Sequence, residues 1–250
     1  MRHPGTAVRR RDATPGFGAI AFGRTVLNLK YELMAQAPAI ANRLLEWRAS
    51  GAVGAGNRGS GFRIAIPGLP ELFVRIARRG GWMRYFSRET FLGLRPRPLH
   101  ELRVADAAYR RGVPIAEPMG AMVEWIVPGV YRGFFISRAI DGMSLWEFVR
   151  VDDDPLVRRH VLERTRAAIE TMHQLGVAHA DLNLHNLFVT HHRDEFAVLI
   201  LDLDKARLFG RSTPASIRRA THARLLRSIR KLDPDGRWFD SEALELLRTP

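Results

Sequence analysis

The segment His-Ala-Asp-Leu-Asn-Leu-His-Asn at 179–186 sets a carboxylate, Asp181, and an amide, Asn186, five positions apart, just before the apolar run 187–189. A second apolar run, 196–201, ends in Asp202-Leu203-Asp204. If the two runs pair as a hairpin around 191–195, their ends bring Asn186 and Asp202 together and leave Asp181 beside them. Oxygen donors of this kind suit magnesium, which takes one or two protein side chains and completes its shell with phosphate and water. A separate carboxylate can then orient an acceptor hydroxyl and take its proton, so the three residues suit phosphoryl transfer. Each of them alone is equally at home in a turn or at a strand end, because Asp and Asn are common turn residues. Their combination and order carry the chemical reading.

The loop must be delivered by the helix expected over 154–176, with Pro155 in its first turn and Gly176 as its stop. Ahead of it, the glycine cluster 51–61 leads into strands expected at 62–66 and 71–77 around the turn Pro67-Gly-Leu-Pro70. Glycines against a strand let backbone N–H groups approach phosphate closely, or simply form a flexible loop. The periodicity of 97–111 predicts a helix with Leu99, Leu102, Ala105 and Tyr109 on its buried face and Glu101 in its first turns. It is ended by Gly112 and Pro114. Residues 116–140 read as two or three strands, and 141–149 as a turn into a short helix. Upstream, 29–50 has helical spacing interrupted by Pro38, giving one kinked or two short helices, with Leu44, Leu45 and Trp47 in the core. Residues 1–23 form an extended lead-in. A final basic helix over 212–232 takes Ser212 or Thr213 as its cap and Pro214 in its first turn. The expected division is a sheet-rich part, 24–140, in which 56–140 is a mostly antiparallel sheet carrying one helix, followed by a helical part, 141–250.

The order His-x-Asp-x-x-x-x-Asn, strand hairpin, Asp-x-Asp resembles the protein-kinase-like superfamily. The wording "HADLNLHN" followed by "LILDLDKAR" is most similar to its lipopolysaccharide kinase branch, above all the 3-deoxy-D-manno-octulosonic acid (Kdo) kinases. "GNRGS" at 56–60, "VRIARRGG" at 74–81 and "RLLRSIRK" at 224–231 extend the resemblance over roughly residues 56–232. It implies an α+β, two-lobed protein-kinase-like fold and an ATP- and magnesium-dependent sugar kinase. Asp181 becomes the catalytic carboxylate, with Asn186 and Asp202 as magnesium ligands. His179 becomes a structural member of the loop, while His185 and Asp204 either orient the site, touch the acceptor sugar or hydrogen-bond within the loop. Gly56, Arg58, Gly59 and Ser60 fall in the loop over the nucleotide phosphates. Arg75 stands where the strand lysine of protein kinases is expected, with Glu101 as its helix partner. Arginine there departs from the protein-kinase pattern: its planar fork still binds phosphate and carboxylate, but in a different geometry, and Arg58 is placed to share the task.

Composition bears on the acceptor. The formal net charge is +13, and Lys30, Lys205 and Lys231 are the only lysines. An arginine-rich surface favours phosphate, carboxylate, nucleic acid or an anionic membrane face, or simply reflects a composition that supplies arginine wherever a surface cation is tolerated. Kdo-lipid A, the acceptor that the resemblance implies, carries such groups, and the arginines of 75–89 and 218–231 suit them. Trp82, Tyr85 and Phe86 among the former suggest contact with the cytoplasmic face of the bacterial inner membrane, or a short core patch. There is no basic tail and no basic module interleaved with aromatics, so no nucleic-acid partner is expected. The absence of cysteine excludes disulfides, zinc thiolate sites and thiol nucleophiles. No signal-like or membrane-spanning segment is apparent, which predicts a cytoplasmic, soluble or peripheral protein. Two other readings are a kinase of a different small hydroxylated molecule or protein serine, and a noncatalytic basic scaffold.

Overall fold

Strand formation begins earlier than the sequence pattern suggested: the end of the expected lead-in, Phe17–Phe22 (β1), pairs with Thr25–Lys30 (β2) in an antiparallel hairpin. The computed structural model describes residues 14–49, 61–76, 90–192 and 195–248. They fall in two units, Met1–Asp106 with Glu117–Ala139, and Ala107–Ala116 with Ile140–Pro250. Residues 107–116 fall in the second unit. Gly56, Arg58, Gly59, Ser60, Trp82, Tyr85 and Phe86 lie outside the described residues.

In the first unit β1 and β2 are followed by a 3-10 turn, Tyr31–Gln36, and helix α1 (Ala37–Ala49). Then come β3 (Gly61–Ile64), β4 (Leu72–Ile76), β5 (Phe91–Leu92), α2 (Arg97–Arg110), β6 (Pro118–Val127) and β7 (Val130–Arg138). The strand order is β1-β2-β6-β7-β4-β3, every pairing antiparallel, with β5 also on β7. The sheet is thus wider than expected, because β1 and β2 extend it. The period-2 pattern of β4 buries Leu72, Val74 and Ile76 and leaves Phe73 exposed. These residues join Leu27, Leu29, Met122, Phe134 and Ile136 in a core closed by Ile40, Ala41 and Leu44 of α1. Pro38 sits in the first turn of α1, where its missing N–H costs nothing, and of the two expected alternatives the segment takes two short helices, a 3-10 turn and then α1.

Leu102 of α2 packs with Phe17 and Ala121. A Cβ on Gly133 of β7 would lie 2.2 Å from the Pro98 ring, so only glycine allows the start of α2 this close to the sheet. The buried stripe of α2 continues to Ala108; Tyr109, one residue or 100° further round, is 39% exposed, contrary to expectation.

The second unit contains β8 (Met143–Ser144), α3 (Leu145–Val151), α4 (Pro155–Gln174), β9 (Val177–Ala178), β10 (Leu187–His192), β11 (Glu195–Ile200), β12 (Arg207–Leu208), α5 (Ala215–Leu232) and α6 (Ser241–Arg248). Ser144 and Glu147 form a reciprocal capping box on α3. Asp154 caps α4 by accepting from the N–H groups of Leu156 (2.8 Å) and Val157 (3.4 Å). The helix ends at Gly176, whose φ of +71° and 2.1 Å approach of a notional Cβ to Arg211 O both require glycine. Arg111 Nη1 donates to Leu175 O (3.0 Å) and Phe209 O (2.9 Å), clamping carbonyls at that helix end. Two corrections fall on α5. Pro214 occupies its N-cap without a side-chain bond, because the Thr213 hydroxyl is used on Val177 O (3.1 Å). Nor is α5 the last helix: Asp233 accepts from the N–H groups of Arg237, Trp238 and Phe239 and turns the chain into α6. No helix among the described residues is long and apolar enough to cross a membrane.

Candidate active site

The hairpin of β10 and β11 runs in register from Leu187↔Ile200 to His192↔Glu195. At its open end Leu201 N–H donates to Asn186 O (2.8 Å), which sets Asn186 opposite Leu201 and one residue from Asp202. Asp202 has a φ of +63°, unique among the non-glycine residues described. Aspartate is among the few residues that tolerate this left-handed conformation. Held conformations of this kind cluster where a side chain must be aimed.

The loop 179–186 is built by alternation. Leu182 and Leu184 are fully buried, which leaves Asp181, Asn183 and His185 on the side away from the core. Two amides then fasten its backbone: Asn183 Nδ2 (2.9 Å) and Asn186 Nδ2 (3.0 Å) both donate to Asp181 O. Asn183 Oδ1 accepts from His185 N–H (2.9 Å). α5 touches the loop twice. Arg224 Nη1 donates to Asp181 Oδ1 (2.7 Å), and Ser228 Oγ accepts from Leu184 N–H (3.4 Å).

His179, 3% exposed, joins the loop to the strand end. Its Nδ1 accepts from Asp181 N–H (3.0 Å), which leaves the ring proton on Nε2 to donate to Leu201 O (2.9 Å). Burial pushes its pKa below the usual histidine value, outweighing the Leu201 carbonyl and the charges of Asp202, Asp181 and Asp204 that pull it up. The ring is therefore a neutral spacer with both nitrogens engaged, and it is not placed to accept a substrate proton.

Magnesium fits the chemistry of this donor set. The Asn186 amide nitrogen is used on the loop backbone, so its oxygen would be the donor toward a cation, and Asp202 would add a carboxylate. Among the described residues no cluster of three or more His, Cys, Asp or Glu side chains forms a self-sufficient metal cage. A hard ion that shares its shell with nucleotide phosphates needs no such cage.

In the first unit the structure brings Arg75 and Glu101 into an ion pair between β4 and α2. The Glu101 side chain is 4% exposed and that of Arg75 25%. Arg75 lies opposite Gly61 on one side and Phe135 on the other.

Reading by sequence missed Arg224. It lies 43 residues from Asp181 in a chain dense with arginine, and no local spacing signals the contact.

Comparisons with known proteins bear on the family of the chain. The model of the Lipopolysaccharide kinase (Kdo/WaaP) family matches residues 56–249. A 3-deoxy-D-manno-octulosonic acid kinase of Xylella fastidiosa (strain 9a5c) is 29% identical over 186 residues, 72% of this chain and 70% of the relative. One of Stenotrophomonas maltophilia (strain R551-3) is 29% identical over 224 residues, 87% of this chain and 82% of the relative. A solved structure of WaaP in complex with acyl carrier protein aligns with a TM-score of 0.49 at 17% identity, covering 82% of this chain and 83% of that one. With the match spanning the Arg75–Glu101 pair and the whole of the loop and hairpin around Asp181, the chain belongs to the lipopolysaccharide kinase (Kdo/WaaP) family of phosphotransferases.

Proposed function

We propose that this kinase transfers the γ-phosphate of ATP to a hydroxyl of the Kdo residue of Kdo-lipid A. The observation that carries the reading is the arrangement of Asp181, Asn186 and Asp202 around one loop and one strand end, in a chain whose relatives are named Kdo kinases. Asp181 orients the acceptor hydroxyl and takes its proton as that oxygen bonds to phosphorus and ADP leaves. Asn186 and Asp202 would hold magnesium, whose charge neutralises the nucleotide phosphates. Arg75, held by Glu101, anchors the nucleotide, and the segment of Gly56, Arg58, Gly59 and Ser60 covers its phosphates.

The acceptor's anionic groups suit an arginine-rich surface, and we extend the reading to peripheral contact with the anionic cytoplasmic face of the inner membrane. Transfer of labelled γ-phosphate from ATP to Kdo-lipid A, dependent on magnesium and lost in Asp181→Asn, is the expected result. ATP binding without transfer to this lipid would redirect the search to another hydroxyl acceptor. Co-sedimentation with vesicles containing anionic lipid at low salt tests the membrane contact, and protein left in the supernatant would remove it.

A further inference from the structure

We propose that Arg224 is the positioning residue for Asp181, a cation supplied by helix α5 because the loop itself carries none. The inference rests on the reading of Asp181 as the acceptor of the hydroxyl proton. No Lys or Arg occurs between 179 and 186. Asn183, two residues after Asp181, spends its amide on the loop backbone, with Nδ2 on Asp181 O and Oδ1 on His185 N–H. The positive charge at the carboxylate comes instead from Arg224 Nη1, 2.7 Å from Asp181 Oδ1.

Three features make this contact more than a surface ion pair. First, Arg224 sits on an 18-residue helix whose buried side carries Thr221, His222, Leu225 and Ile229. Second, Ser228, one helical turn on and on the same face, holds the loop at Leu184 N–H, so one helix registers both the carboxylate and the backbone that bears it. Third, the guanidinium engages a single carboxylate oxygen. The other oxygen remains available to an acceptor hydroxyl, since a carboxylate accepts through both. Arg224 transfers no proton: the hydroxyl proton goes to Asp181, and the always-charged guanidinium restricts which way that carboxylate faces.

The two side chains are 47% and 48% exposed. An ion pair so open to solvent contributes little to stability. A role in the fold and a role in positioning therefore separate cleanly. With ATP and Kdo-lipid A as substrates, Arg224→Ala is expected to lower kcat by about 10- to 100-fold, the scale of a misplaced catalytic group. The KM values for ATP and acceptor should stay within a few-fold, with an unchanged Tm. Arg224→Lys keeps the charge and should recover part of kcat, and added guanidinium should raise the turnover of Arg224→Ala while leaving Asp181→Asn inactive. A kcat within about twofold of wild type in Arg224→Ala, or a loss confined to the KM for the acceptor, would overturn the proposal while leaving Asp181 in its role. Wild-type turnover in Asp181→Asn would remove that role and the proposal with it.

Discussion

Replacing Arg75 by Met removes the guanidinium that β4 offers to Glu101 and leaves the carboxylate in place. The Glu101 side chain is almost wholly buried, at 4% exposure, so it keeps most of its desolvation cost while losing a counter-charge. Breaking a fully buried pair from one side costs about 3–5 kcal/mol. Because the Arg75 side chain is a quarter exposed and water can partly replace it, the expected loss is nearer 2–4 kcal/mol. For a chain of this size that corresponds to a fall in Tm of roughly 5–15 °C. The double replacement Arg75→Met with Glu101→Leu removes both charges, and apolar side chains of similar volume should return most of the lost stability, as is usual when a buried pair is replaced whole. Nucleotide binding should not return with it. Urea unfolding followed by tryptophan fluorescence, together with ATP titration of each variant, separates the two effects. If the double variant is as unstable as Arg75→Met, the cost does not come from the buried charge of Glu101. If the double variant binds ATP like the wild type, the pair has no part in anchoring the nucleotide.

Three further perturbations test the remaining parts of the site and fold. Asp181→Asn should reduce turnover by about 10²–10⁴-fold, the range for losing a general base, with ATP affinity unchanged by isothermal titration. At Asp202, whose φ of +63° disfavours a Cβ, Asp202→Gly should be about 1 kcal/mol more stable than Asp202→Ala by urea denaturation, although both lose the carboxylate and the activity. Stability should also depend on pH through His173, which burial first, and then the nearby positive charges of His222 and Arg218, hold at about 4 against an ordinary 6.5. Since the folded value is the lower one, the contribution is complete above pH 6.5 and is lost as the pH falls toward 4. The total is up to about 3 kcal/mol, and urea midpoints of wild type and His173→Gln across that range should converge at the acid end.

The parts of this molecule that sequence pattern makes legible are those set by neighbours along the chain. The β10–β11 hairpin could be read from two apolar runs with a polar turn, and the limits of α4 from Asp154, Pro155 and Gly176, because capping and period-2 alternation are local effects. From that hairpin alone follows the approach of Asn186 to Asp202. What escaped depends on distant segments. β1 reads as a Gly-rich lead-in and becomes a strand because β2, itself paired with β6, lies beside it. Thr213 has the composition of a helix cap, yet its hydroxyl serves Val177 O, which is buried and needs a donor. Tyr109 reads as part of the buried stripe but lies one helical step beyond it, a difference that small shifts in phase produce near a helix end. The contact of Arg224 with Asp181 carried no signal: a chain with this many arginines offers no way to know which of them meets Asp181 until α5 is in place.

The imidazole of His179 can be regarded as a two-sided adaptor, one edge shaped for a backbone donor and the other for a backbone acceptor. Few side chains present both polarities without charge. Arginine and lysine offer donors alone, and ionised aspartate and glutamate offer acceptors alone, so each would leave one face of the junction mismatched. A carboxamide has the same pair of functions, a carbonyl and an N–H, which makes asparagine and glutamine the substitutions best able to preserve the join between loop and strand. A second proton on the ring would create the same mismatch as lysine, setting N–H against N–H at Asp181. The amide of Asp181 thus reports on the junction, and its exchange with deuterium should accelerate whenever the adaptor is charged or replaced by a side chain of single polarity.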